Sequence, residues 1–290
     1  MKTVEIVYNP ISGRGKGEPL AHALAHRLER DGVTVSVSQS KLAYTETDRE
    51  RISNRDALLV IGGDGTLRAL LEILSQTKTP VYMVPSGNES LFARAFSMSA
   101  NVERIVQALE EYQVSEHWIG RVNNQPFFTM VSLGLDSQVI ERIARARSGP
   151  IGHRGYILPT LIVASSHRPP CLKVTVDGRE ELGGEQGLLV IANSREYAAR
   201  LNPVPEASTL SGELHARFFP FARVSWYFNC ILALCRGKGM GQKDSLLLKG
   251  KNFYVEVSNV VPFPVQADGE FMGHAPVTVS IGAERIAVLN

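Results

Sequence analysis

Apolar and polar positions along this chain follow two rhythms in turn. In the first stretch, short apolar runs alternate with helical periodicity. Residues 3–8 (Thr-Val-Glu-Ile-Val-Tyr) read as a strand. Leu20, Ala23, Leu24, Ala25 and Leu28 then recur at helical spacing until Asp31-Gly32 stops them. Val33 to Val37 alternates as a strand, whereas Ala57 to Ile61 and Pro80 to Val84 are unbroken apolar runs, the pattern of strands buried on both faces. Between these runs Leu67, Leu70, Leu71 and Leu74 predict one face of a helix, and a further helix is expected from about Glu89. Strands alternating with helices predict a parallel α/β domain ending near residue 117.

After Trp118 the rhythm changes. Short alternating segments follow at 127–133, 171–176, 187–193, 213–219, 252–258 and 276–281, with 284–289 closing the series. Turn signals such as Asp177-Gly178 and Asp268-Gly269 separate them. This predicts an antiparallel β domain with helices inserted near 137–147 and 222–235. No internal repeat or low-complexity linker is present.

Composition narrows the picture. With 290 residues, 44% hydrophobic and 21% charged, the chain is ordinary globular protein, and length favours two domains. A formal net charge of +2 gives no reason to expect nucleic acid as a partner. Three cysteines, Cys171, Cys230 and Cys235, without a CxxC pair exclude a disulfide framework and a zinc ribbon, and imply a reducing cytosol. No signal peptide is expected, and the longest apolar stretch, Val224 to Cys235, is too short to span a bilayer, though it could lie against one.

Chemistry concentrates at strand ends. Gly62-Gly63-Asp64-Gly65-Thr66 follows a buried strand and opens a helix, where ligands of open α/β sheets bind. Its glycines let backbone N–H groups approach phosphate oxygens, Asp64 can hold Mg²⁺, and Thr66 supplies a hydroxyl. The bland alternative is a tight capped turn. A second loop, Asn9 to Gly17, carries Ser12, Arg14 and Lys16 but is neither a Walker A loop nor a Rossmann fingerprint, and alone reads better as a turn. A third, Pro85-Ser86-Gly87-Asn88-Glu89-Ser90, closes another strand, so all three should line one edge of the sheet. Asp268-Gly269-Glu270, far along the chain, reads by itself as a hairpin turn. The seven histidines show no metal spacing, and no GxSxG elbow is present.

Taken together these segments resemble the diacylglycerol kinase catalytic family, which includes bacterial lipid kinases, sphingosine kinases and ceramide kinases. Asn9-Pro10-x-Ser12-Gly13 is similar to its opening NPxSG, residues 62–66 to its GGDGT, and residues 85–94 to its P-x-G-T-x-N-[DL]-x-A-R segment. Gly134-Leu135-Asp136-Ser137 resembles its GxDA element, and Ile191-Ala192-Asn193-Ser194 through Pro205-Glu206-Ala207 its iaNs…PxA stretch. Asp268-Gly269-Glu270 matches its DGE.

The resemblance implies an α/β nucleotide-binding domain over 1–117 and a β-sandwich lipid-substrate domain over 118–290, the last residues free to pack back on the first domain. ATP would lie in the cleft between. It implies Glu270 as the base for a lipid hydroxyl, with Asp268 and Asp64 organising Mg²⁺ and the attacking group. Asn9, Ser12, Gly62, Gly63, Gly65, Thr66, Gly87, Asn88 and Glu89 would bind the nucleotide, and Asp64, Asp136 and Asp268 would form the metal set. The chain departs from the pattern at Asn88, Ser90, Leu91 and Ala198-Ala199-Arg200. It also has Ser211 where bacterial members have an Asp that helps bind a structural Mg²⁺.

The expected partners are ATP and a lipid at a membrane surface, with a homodimer left open and a cytoplasmic location peripheral to the inner face of the membrane. Phe218, Phe219, Phe221, Trp226, Tyr227 and Phe228, followed by Arg236, Lys238, Lys243, Lys249 and Lys251, suit an interfacial element or, equally, a core. Arg142, Arg145, Arg147, His153 and Arg154 form a second basic stretch. Diacylglycerol is the default acceptor. A sphingoid base, ceramide or another lipid alcohol, a soluble acceptor as in NAD kinase, and a non-catalytic nucleotide or lipid sensor are the alternatives.

Overall fold

The two unbroken apolar runs and the N-terminal strand form the centre of a parallel sheet. In the computed structural model, which describes residues 2–86, 90–146, 154–197, 200–220, 244–260 and 262–290, β1 (Thr3–Tyr8) pairs in parallel with β2 (Thr34–Gln39) and β3 (Ala57–Gly62). β3 pairs in parallel with β4 (Val81–Pro85), giving the order β2-β1-β3-β4. Leu58 to Ile61 and Val81 to Val84 are buried on both faces. Helix α1 (Gly17–Arg30) buries Leu24, Ala25 and Leu28 of the predicted stripe; Ala21 is buried too, while Leu20 is half-buried and Ala23 exposed, and the helix ends at Asp31-Gly32 with Gly32 at φ 80°.

The predicted leucine helix is two short ones, α3 (Asp64–Arg68) and α4 (Leu71–Thr77), yet Leu67, Leu70, Leu71 and Leu74 are all buried. The 3.6-residue period survives because the break at Ala69-Leu70 keeps both pieces facing the sheet. Two helices are additional to those read above. They are α2 (Glu46–Ser53), started by a Thr45/Asp48 capping box, and α6 (Val102–Glu111), capped by Asn101. Between them α5 (Leu91–Ala95) is capped by Ser90.

The chain divides into two compact units, Met1–His117 with Glu284–Asn290, and Trp118–Ala283. His117 closes the first. Its ring is buried, with Nε2 2.8 Å from Ser115 Oγ and the Phe96 ring edge-on at 4.6 Å. Burial pushes its pKa down to about 4.

The second unit is an antiparallel sandwich. β5 (Val114–Val122) hairpins into β6 (Gln125–Phe127), and β7 (Met130–Leu133) follows after a break at Phe128-Thr129. Helix α7 (Leu135–Ala146) then packs against β7, and α8 (Arg154–Ser166) packs on α7. β8 (Cys171–Val176) turns through Asp177-Gly178 into β9 (Arg179–Ala192), a long strand that serves both layers. Its first half pairs with β8; its second half pairs with β7 and with β10 (Leu214–Pro220), beyond which lies β11 (Leu246–Gly250). β12 (Asn252–Val257) joins β8 to β15 (Val277–Leu289). β13 (Pro264–Ala267) and β14 (Glu270–His274) extend the other layer from β7. The two segments expected at the end of the chain are therefore one strand, whose last residues belong to the first unit and place Val288 beside Val81.

Leu189 and Ile191 face the core between the layers while Leu188, Val190 and Ala192 face a second cluster with Tyr197 and Phe219. That explains the unbroken apolar run. Phe218 and Phe219 are both core, not interface. Phe221 to Lys243, and with them the helix expected at 222–235, Cys230 and Cys235, lie outside the described residues. Cys171 is half-buried and free. Among the described residues no helix is long and apolar enough to cross a membrane.

Candidate active site

The carboxyl ends of β1, β3 and β4 bring together, in the N-terminal unit, the loops that start at Asn9, Gly62 and Pro85, the first, second and third in chain order. Asn9 N–H donates to the Ile61 carbonyl at 2.9 Å, and Asn9 Nδ2 donates to Thr66 Oγ1 at 3.1 Å. Asn9 Oδ1 accepts from Ile11 N–H, an Asx turn that starts the loop. Ser12 Oγ lies 2.9 Å from the Asn9 carbonyl and 2.7 Å from Ser86 Oγ, while Ser86 N–H donates to the Gly62 carbonyl at 3.1 Å. The glycines are required by space. Gly13 sits at φ 57° with its absent Cβ position 2.3 Å from the Ser86 carbonyl oxygen, and a Cβ on Gly62 would stand 2.5 Å from Thr66 Oγ1. The result is one hydrogen-bonded cradle of hydroxyls, an amide and glycine backbone, with Gly63 extended and Gly65 exposed. Gly87, Asn88 and Glu89 lie outside the described residues.

Asp64 is placed as a brace. Its carboxylate accepts from Leu91 N–H at 2.8 Å and Phe92 N–H at 3.0 Å, and Ser90 Oγ stands 3.3 Å away. The second loop thereby caps the helix after the third.

In the sandwich, Asp136 opens α7 beside β7 and β13. Its Oδ2 accepts from Ser132 Oγ, from Tyr197 Oη at 3.0 Å and from Gln266 Nε2 at 3.3 Å. Gln266 Nε2 also donates to Ser132 Oγ at 2.6 Å, and Gln266 Oε1 accepts from Gly269 N–H at 3.0 Å. One amide thus ties Asp136 to the turn that presents Glu270. Asp136 Oδ1 is buried and finds no hydrogen-bond partner among the described residues.

Asp268 and Gly269, at φ 50° and 78°, make the predicted two-residue hairpin, as do Asp177 and Gly178 at 48° and 84°. The Asp268 carboxylate accepts from Phe128 N–H at 2.7 Å, Thr129 N–H at 2.8 Å and Met130 N–H at 3.0 Å. Asn193, fully buried, holds the same break from the other side, its Nδ2 donating to the Phe128 carbonyl at 2.8 Å and the Trp118 carbonyl at 2.7 Å. Asp177 plays a parallel part, accepting from Lys251 N–H and, at 2.8 Å, from Asn252 N–H; these bonds hold its carboxyl below the usual range. Glu270 is the half-buried first residue of β14, paired with Ala267.

A diacylglycerol kinase catalytic domain model matches residues 3–122, and a model of the YegS C-terminal NAD kinase beta sandwich-like domain matches residues 129–290. The chain belongs to the diacylglycerol kinase catalytic family. A Mycobacterium tuberculosis protein named diacylglycerol kinase is 25% identical over 99% of this chain and 94% of its own length. A Staphylococcus aureus protein of the same name is 21% identical over 95% of this chain and 88% of its own. A crystal structure described as a diacylglycerol kinase from Bacillus anthracis matches with a TM-score of 0.71 at 16% identity, covering 99% of this chain and 96% of that one, a likeness of fold. This member of the diacylglycerol kinase family is a kinase, a phosphotransferase that uses ATP.

Among the described residues no group of three or more His, Cys, Asp or Glu side chains could hold a metal. Mg²⁺ in phosphotransferases typically takes only one or two protein carboxylates and substrate phosphates. The orphaned, buried Oδ1 of Asp136 fits that demand. The structural Mg²⁺ of bacterial diacylglycerol kinase relatives does not fit here. Ser211 Oγ lies 2.9 Å from the Ser208 carbonyl and 2.8 Å from the Glu213 carbonyl, so a neutral hydroxyl gathers the loop. Ser86, Ser132, Tyr197 and Gln266 were not singled out from the sequence for the site. Gln266 had a signal, being a polar residue within the apolar run of β13.

Proposed function

We propose that the chain transfers the γ-phosphoryl group of ATP to the free hydroxyl of diacylglycerol, as a cytoplasmic protein working at a membrane surface. The observation that carries this reading is the N-terminal cradle, in which Asn9, Ser12, Thr66 and Ser86 lock three strand-end loops into one hydrogen-bonded set of hydroxyls and an amide. The acceptor is taken from the printed names of relatives that span nearly the whole chain.

Phosphoryl transfer needs in-line positioning and charge neutralisation more than covalent help. In this reading the cradle, with Gly62, Gly63 and Gly65, orients the phosphates. Glu270 takes the hydroxyl proton as the lipid oxygen bonds to phosphorus and ADP leaves. Ser132, Tyr197 and Gln266 hold Asp136 Oδ2 and leave Oδ1 for Mg²⁺, which when bound neutralises phosphate charge. Asp64 and Asp268 act as braces for the loops they cap.

The test is phosphate transfer from labelled ATP to a panel of micellar lipids, with NAD(H) as a soluble acceptor. Diacylglycerol should take the label. Glu270→Gln should lower kcat by about 10²–10⁴-fold with ATP affinity retained. Label on NAD(H) instead, or on no lipid, defeats the reading.

A further inference from the structure

β14 is an edge strand, and Glu270 is its first residue. Among the described residues its backbone ladder runs to β13 alone, and a bulge interrupts it. Between the pairs Gln266–Phe271 and Pro264–His274, β13 advances two residues and β14 three. Gly273, at φ 95°, lies in that longer step. Pro264, opposite His274, has no N–H to give the ladder. Backbone bonds alone therefore hold this strand weakly beyond Phe271.

The bulge supplies a different hold. Along a regular strand, residues three apart point to opposite faces; the extra residue brings Phe271 and His274 to one face, their rings 5.1 Å apart and edge-on. Phe271 stands opposite Gln266, whose side chain reaches Asp136, so that face is the one toward α7. There His274 Nε2 lies 2.7 Å from Glu141 Oε1. A carboxylate only accepts hydrogen bonds, so His274 is the donor. The Arg145 guanidinium, 2.6 Å from the same oxygen, is 72% exposed and lies on α7 itself, so it joins no second element. The His274 bond is the one that crosses from helix to strand.

The two elements it joins each carry a residue of the proposed chemistry. Asp136 stands in the first turn of α7, and Glu141 is about 7.5 Å further along that helix. Glu270 begins β14 and His274 ends it, about 13 Å away. Gln266 ties the near ends through Asp136 and Gly269, and His274 with Glu141 ties the far ends. One tie lets two elements rotate about it; two ties fix the angle between them. We propose that His274 and Glu141 are positioning residues for phosphoryl transfer, a far tie that holds β14 on α7 and keeps Glu270 at a set place relative to Asp136. This rests on the reading of Glu270 as the base that takes the acceptor proton.

His274→Ala should lower kcat about 10–100-fold while KM for ATP stays within about twofold, because the tie acts on the base and not on nucleotide binding. His274→Gln, whose Nε2 keeps a donor at similar reach, should recover most of that loss, and Arg145→Ala should leave kcat at the wild-type value. Glu141→Ala should match His274→Ala, and the double variant should be no slower than either, since a single tie is broken. Amide hydrogen exchange gives a readout that needs no acceptor: β14 should exchange faster in His274→Ala and at the wild-type rate in His274→Gln, with β1 and β3 unchanged in both. Losses that multiply in the double variant, a fall in kcat no larger than the folded fraction explains, or no rescue by His274→Gln overturns the inference. If wild type labels no lipid, the proposed function fails, and exchange then decides the tie: faster exchange of β14 in His274→Ala upholds it, and unchanged exchange overturns it.

Discussion

Gln266 shows how one buried side chain can matter to a reaction without touching it. Its amide donates to Ser132 and Asp136 and accepts from Gly269, so it sets the Asp136 carboxylate and the turn before Glu270 together. Gln266→Leu should strand those partners, lowering stability by about 1–3 kcal/mol and kcat by more than the melting shift explains, with KM for ATP little changed. Thermal melts alongside steady-state kinetics check this. At the same scale, sequence reading located the acidic residues but not their division of labour. Asp64, Asp177 and Asp268 all spend their carboxylates on backbone N–H groups of distant loops. Nothing in an Asp-Gly pair says which loop it will reach, because the partner is set by tertiary packing.

At the scale of elements, the cradle is held by backbone geometry as much as by side chains. Gly13→Ala would force a Cβ against the Ser86 carbonyl at a left-handed φ of 57°. It should cost more than about 1 kcal/mol and raise KM for ATP, since the first and third loops must part. Isothermal titration of ATP with the folded variant measures the second effect. The Ser211 loop makes the opposite case, a turn that needs no ion. Ser211→Ala should cost about 1 kcal/mol, and EDTA should leave the wild-type melting temperature unchanged. Strands were legible wherever apolar runs or alternation were strong, as in β1, β3, β4, β8 and β12. α2 escaped because its stripe is thin, Ile52 being its one buried apolar residue. The break between α3 and α4 escaped because burial of all four leucines preserves the period across it.

At the scale of the whole molecule, acid sensitivity follows from His117. Its folded pKa of about 4 lies below the unfolded value of 6.5, so the unfolded chain binds the extra proton first. The contribution is complete above about pH 6.5 and is lost as pH falls toward 4. Denaturant melts across this window should show stability falling with pH, and His117→Gln should flatten that slope.

The course of β15 has a consequence for synthesis. The last residues of the first unit, Glu284–Asn290, are made only after the 166 residues of Trp118–Ala283 have left the ribosome. At about 5–20 residues per second that is a wait on the order of ten seconds or more. Until then β4 has an open edge where Val288 will sit. A nascent N-terminal unit is therefore an unfinished sheet, exposed to stray strands and a natural client for a chaperone.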